Sequence, residues 1–153
     1  MWEDFWNLRV NDRLARWREF RKELDTMPFE EALKSINDTW GSAPFFNYHL
    51  DDSSPFNWPD PWTLLAENRY CDFTKALGML YTIYFTKHRK DDLELLVYVD
   101  NKKNERYYVV SIDKGNHILN YHPWEIVNTK QFKEKHIQLL YQYSITDLKL
   151  EKY

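Results

Sequence analysis

The chain has 153 residues, with 21 Lys plus Arg against 24 Asp plus Glu, a formal net charge of −3. Hydrophobic residues make up 43% and glycine occurs only three times, which excludes collagen-like, low-complexity and wholly disordered classes and predicts one domain (1–153) with its own core. No surplus of positive charge is available to release counterions from a phosphate backbone, so nucleic acid is not expected as a partner, and a single cysteine excludes both an internal disulfide and a zinc site built on two thiolates.

The N-terminal run Met1-Trp2-Glu3-Asp4-Phe5-Trp6 is acidic and aromatic, with no basic n-region, and does not read as a signal peptide. The most apolar stretch, Ala76 to Phe85, is about half the length that a membrane span requires, so no membrane partner is expected. Aromatic residues make up 18% of the chain, more than a core of this size encloses easily. Residues 1–10 therefore read as a docking strap, with Trp2, Phe5 and Trp6 joined by Trp58 and Trp62 as residues that bind a protein partner. A strap folded back on its own domain is the alternative.

Residues 11–40 read as a helical pair. From Asn11 to Met27, Leu14, Trp17, Phe20 or Arg21, and Leu24 recur at helical spacing, with Asn11 or Asp12 as cap. The basic residues of this segment are cancelled by neighbouring acids, as on a solvated face. Pro28 opens the second helix from its first turn, Phe29, Leu33, Ile36 and Trp40 share a face, and Gly41 stops it near Thr39. Residues 41–61 hold four of the six prolines and form a long loop, whose aromatics Phe45, Phe46, Tyr48, Phe56 and Trp58 are expected to pack down on the body. Pro61 to Asn68 is a short helix, and Cys71 to Lys87, with Phe73, Leu77, Leu80 and Tyr84 on one stripe, is a central buried helix. Beyond the turn 88–92 the period becomes that of strands: Leu93 to Val99, Tyr107 to Ile112 and His117 to Tyr121 form an antiparallel meander. A helix at Thr129 to Lys135 follows, then strands at Ile137 to Ser144 and Leu148 to Tyr153. Helices followed by strands give an α+β domain with helices packed on an antiparallel sheet.

Cys71 is the one reactive thiol, placed in the first turn of the central helix, where free N–H groups and the helix dipole favour a thiolate. A nucleophile needs a base. The downstream histidines are His88, His117, His122 and His136, and His117 and His122 flank Asn120, which is suited to orient an imidazole. The competing reading is a small core cysteine with histidines exposed in turns. Metal binding through His49, Asp51 and Asp52 has no support from spacing, and His117 and His122 fall on opposite faces of one strand. No metal or cofactor is expected.

Several segments together resemble a known family: Ile36-Asn37-Asp38 with Asn47-Tyr48, Asp60-Pro61-Trp62-Thr63-Leu64-Leu65, Tyr70-Cys71-Asp72 with Ala76-Leu77-Gly78, and Ile118-Leu119-Asn120. They are similar to bacterial transglutaminase-like cysteine peptidases of the papain-like superfamily. The resemblance implies a transglutaminase-like core over roughly residues 28–150, with Cys71 as nucleophile and Asn120 in place of the acidic third member of the triad. It departs from the family where the catalytic histidine belongs: Arg106, Tyr107 and Tyr108 stand there, and neither a phenol nor a guanidinium takes a thiol proton at neutral pH. The Trp58-Pro59-Asp60-Pro61-Trp62 and Cys71 to Gly78 patterns also resemble short tailed-bacteriophage proteins. These resemblances together imply a pseudoenzyme, a non-catalytic structural or interaction protein of a virion or assembly complex, located in the virion or the host cytoplasm. The alternative is a Cys-dependent amidase or peptidase with Cys71, His117 or His122, and Asn120.

Overall fold

A computed structural model describes residues 2–47, 50–133 and 137–153. In chain order the elements are α1 (Trp2–Phe5), α2 (Val10–Asp25), α3 (Phe29–Gly41), α4 (Pro61–Glu67), α5 (Asp72–Tyr84), β1 (Glu94–Asp100), β2 (Glu105–Ile112), β3 (His117–His122), β4 (Glu125–Val127), α6 (Thr129–Lys133) and β5 (Gln138–Ser144), with 3-10 turns at Pro55–Asn57 and Leu150–Lys152. The strands form one antiparallel sheet in the order β4-β3-β2-β1-β5. The chain is thus α+β, with α5 laid across the sheet and α3 packed against α5.

Period-2 alternation sorts the strand residues between two cores. Leu95, Val97, Val110, Ile112, Leu119 and Tyr143 face the helices and join the main core with Trp17, Leu33, Trp40, Leu77 and Leu80. Leu96, Val109 and Ile118 face the other way and are covered by Phe132 of α6 and Val127 of β4. Between sheet and helices, Asn37 of α3 accepts the backbone N–H of Asn120 at 2.9 Å, tying the first helical pair to β3.

Several local expectations are corrected. Helix α2 begins at Val10 with Arg9 as cap, and neither Asn11 nor Asp12 caps it. Arg13, in its first turn, is buried and donates to the carbonyls of Leu65 (2.7 Å), Ala66 (3.0 Å) and Leu8. A cation is favoured at that end of α4, where carbonyls lack intrahelical partners. Pro28 is the cap of α3 instead of its first residue, and Gly41 lies inside that helix. The stretch 148–153 is not a strand: Ser144 and Asp147 exchange side-chain and backbone hydrogen bonds (2.9 and 3.1 Å) that turn the chain after β5. Leu150 then enters the core and Tyr153 packs on Trp62.

The N-terminal aromatics follow the folded-back alternative. Phe5 and Trp6 are 3% and 5% exposed, and Trp6, Trp40 and Tyr70 form a knot with ring centroids 5.0 to 5.3 Å apart. Asn68 donates to the Trp6 carbonyl at 2.9 Å, so these rings serve the core and are not on offer to a partner. The side chain of Trp2 lies outside the described residues. In the 41–61 loop only part of the expected packing occurs. Trp58 is buried between Phe73 and Tyr143, and its indole donates to the Asp51 carbonyl at 2.7 Å. Phe45, Phe46 and Phe56 instead remain exposed, at 68%, 51% and 83%. Tyr48 and His49 lie outside the described residues.

Candidate functional site

Cys71 is the N-cap of α5, one residue ahead of the expected first turn. Its surroundings follow from Thr74, one turn on. The Cys71 N–H donates to Thr74 Oγ1 at 2.8 Å, and the same hydroxyl lies 3.2 Å from the Cys71 carbonyl and 3.6 Å from Sγ. This is a cap in which the threonine, not a substrate, takes the amide that would otherwise stabilise an oxyanion at the helix start. The sulfur itself is half-buried against the main core.

No described histidine is hydrogen-bonded to that sulfur. His88 is buried at the far end of α5, its Nε2 2.7 Å from the Leu24 carbonyl. His117 sits on the α3 side of the sheet, with Nε2 3.5 Å from Glu30, Nδ1 3.7 Å from Asp113 and its ring edge-on to Phe29. His122 lies at the end of β3 against Tyr121, ring centroids 4.3 Å apart. His136 lies outside the described residues.

Asn120 is not placed to orient an imidazole. Its amide donates at 2.9 Å to the carbonyls of both Asp72 and Tyr108, stapling the start of α5 to β2. Its backbone has φ 69°, a left-handed conformation that asparagine tolerates and most residues do not. An asparagine here therefore has a structural cause.

Within positions 106–108, where the resemblance would place a catalytic histidine, Tyr108 is stacked on Phe73, centroids 4.9 Å apart and planes 14° apart. Its hydroxyl donates to Asp52 Oδ2 at 3.0 Å. Burial first, then the negative charge of Asp52, pushes the Tyr108 phenol up to about 12, so it keeps its proton where a general base must give it up. Asp52 is the hub that the sequence did not suggest. It is 7% exposed, pairs with Arg106 and Tyr108 through its carboxylate, and accepts the Tyr143 hydroxyl on its main-chain oxygen at 2.6 Å. The adjacent Asp51 gathers Ser53 and Ser54, whose hydrogen bonds lower its own proton affinity. Two loop acids flanked by serines and Pro55 read as turn chemistry, and only β2 in place shows that one of them turns inward.

Beside this cluster lies a cleft of about 540 Å³, lined among others by Asn37, Asp72, Lys75, Tyr108, Asn120 and His122. Cys71 is not among its lining residues. Lys75 reaches across to the Gly41 carbonyl at 3.3 Å, and burial lowers its proton affinity despite the nearby Asp72. The structure thus brings Asn120 and His122 to one cleft and leaves Cys71 outside it and His117 elsewhere. Trp62 is 41% exposed, partly covered by Phe85 and Tyr153. Among the described residues no group of three His, Cys, Asp or Glu side chains converges as metal ligands, and no helix is long and apolar enough to cross a membrane.

Replacing Asp52 with alanine is expected to cost about 1–2 kcal/mol in a urea unfolding titration, since it leaves the half-exposed Arg106 and the Tyr108 hydroxyl without their acceptor. Asp52→Asn, which keeps an acceptor oxygen, should recover part of that loss. An unchanged midpoint in Asp52→Ala would show that the hub contributes nothing to holding the loop.

The arrangement of helices and sheet is similar to that of solved structures of LapG from Legionella pneumophila, which share a transglutaminase-like fold. The fold is transglutaminase-like. The calcium-bound form aligns with TM-score 0.70 and 14% identity over 88% of this chain and 76% of LapG. A second LapG structure gives 0.71, 15%, 88% and 76%, and the EGTA-treated form 0.69, 16%, 89% and 74%. No family model matches the sequence, and no curated protein matches it.

Proposed function

We propose that this chain is a non-catalytic structural or interaction protein built on a transglutaminase-like fold. One observation carries the proposal: the Cys71 sulfur is hydrogen-bonded to Thr74 and to no described histidine, while Tyr108, clamped by Asp52, stands where the resemblance would place the base. Acyl transfer needs a thiolate, a proton acceptor within hydrogen-bond reach and free donors for the oxyanion. Here the acceptor is replaced by a phenol that holds its proton, and the cap amide is already bonded. What remains is a rigid scaffold with exposed rings at Phe45, Phe46, Phe56 and Trp62, suited to protein contacts in a larger assembly. The sequence pattern from Trp58 to Gly78 supports a tailed-phage particle as that assembly, and the presence of this chain's peptides in purified particles tests it.

The chemical test is direct. The chain is incubated with a p-nitrophenyl ester and with a peptide aldehyde, and Cys71 is followed by mass spectrometry. The expected result is no acyl-thioester or hemithioacetal beyond the level formed by a cysteine-containing model peptide. A Cys71 adduct that accumulates faster than in that peptide and disappears in His122→Ala or His117→Ala would establish the amidase reading instead.

A further inference from the structure

The β3–β4 hairpin carries a residue its geometry does not favour. His122 pairs with Glu125, so Pro123 and Trp124 form a two-residue turn. Proline fixes the first φ near −65°, and a turn of that kind needs a positive φ at its second position, where glycine or asparagine belongs. Trp124 stands there, at φ 65° and 62% exposed. A bulky ring in the left-handed region costs stability, and exposure returns no burial to offset it.

The second observation is independent of the backbone. Trp124 forms one wall of a pocket of about 350 Å³ whose other lining residues include Glu30, Asn116, His117, Asn128 and Gln131. Asn128 and Gln131 are locked to each other's backbone: Asn128 N–H donates to Gln131 Oε1 and Gln131 N–H donates to Asn128 Oδ1, both at 2.9 Å. This is the capping box of α6; it engages both amide oxygens and leaves both exposed –NH₂ groups, which have no other described partner, as donors beside the pocket. Glu30 of α3 adds acceptor oxygens to the lining, 3.5 Å from His117. A flat amphipathic ring beside amide donors and a carboxylate acceptor matches one ligand chemistry well: the apolar face of a sugar ring against indole, with its hydroxyls bonded at the edge.

We propose that this pocket is a binding site for a neutral saccharide unit, stacked on Trp124 and hydrogen-bonded by Asn128, Gln131 and Glu30. Cys71 is not among the residues that line it, and the site does not depend on whether Cys71 is inert. It is tested by titrating the ¹⁵N-labelled full chain with glucose, galactose and N-acetylglucosamine, each to about 100 mM, as suits single-residue sugars binding in the millimolar range. The Trp124 indole resonance is assigned by its loss in Trp124→Gly. The expected result is a saturating shift of that resonance with at least one sugar, lost in Gln131→Ala and weakened in Trp124→Phe. Trp124→Gly itself should fold and melt higher by roughly 2–6 °C, because the turn is relieved. No shift with any of the three sugars overturns the proposal. A shift with tetramethylammonium chloride alone also overturns it, and would make Trp124 and Glu30 a cation site.

Discussion

Replacing Gly78 with alanine is expected to destabilise the protein by at least about 3 kcal/mol, more than a typical single substitution. A Cβ at this position would lie 2.4 Å from two atoms and 2.6 Å from a third atom of the Trp40 ring. Relief would require Trp40 to move, and it cannot do so freely: the ring is 1% exposed, wedged against Trp6 and Tyr70, and its indole N–H is bonded to Thr82 at 2.9 Å. Alanine's better helix propensity, worth about 1 kcal/mol, offsets only part of this. Urea unfolding checks the value. The double variant Gly78→Ala with Trp40→Leu should recover a measurable part of the loss, because the two positions are coupled through one contact. A Gly78→Ala protein within about 1 kcal/mol of the parent would mean that α3 and α5 can separate at this crossing.

Thr82→Val is the second large effect. The Thr82 hydroxyl is fully used: it donates to the Gly78 carbonyl at 2.7 Å and accepts the indole N–H of Trp17 at 3.1 Å and of Trp40 at 2.9 Å. A hydroxyl has one donor and two acceptor sites, so no capacity is left over. Valine keeps the shape and removes both acceptors, leaving two indole N–H groups buried without partners. At about 1–3 kcal/mol for each of the two orphaned groups, the loss should be roughly 2–6 kcal/mol. In thermal unfolding that corresponds to a Tm lowered by roughly 4–24 °C for a chain of this size. Thr82→Ser should stay near the parent, which separates the hydrogen bonds from the packing. If Val and Ser behave alike, the shared hydroxyl is not what joins α2, α3 and α5.

These two positions show how unevenly the sequence discloses itself. Gly78 reads as an ordinary small residue on a helix, and Thr82 as one more polar position off the apolar stripe. Their roles depend on Trp40 and Trp17, 42 and 65 residues from Thr82 along the chain, converging on its hydroxyl. The same holds at the site. Residues 106–108 were legible as a guanidinium and two phenols where the resemblance implies a base, because residue type alone sets what can accept a proton. That Asp52 fixes Tyr108 there was not legible, since nothing local to a Ser-rich turn says which carboxylate turns inward. Asn120 shows the reverse case, an amide that suits catalysis by type and serves the backbone by geometry.

From the residues alone follow the α+β class, the succession of helices and meander, the central position of the α5 stripe and the guanidinium and phenols that occupy positions 106–108 in place of an imidazole. Each of these follows from periodicity or from the chemistry of single side chains, which are local properties of the chain. Contacts between distant segments were needed to show that Phe5 and Trp6 belong to the core, that Phe45 and Phe56 do not, that the Cys71 amide is occupied by Thr74, and that Trp124 stands exposed in a strained turn beside the α6 cap. Burial and hydrogen-bond partnership are set by which distant segments meet, and no local pattern of residues carries that information.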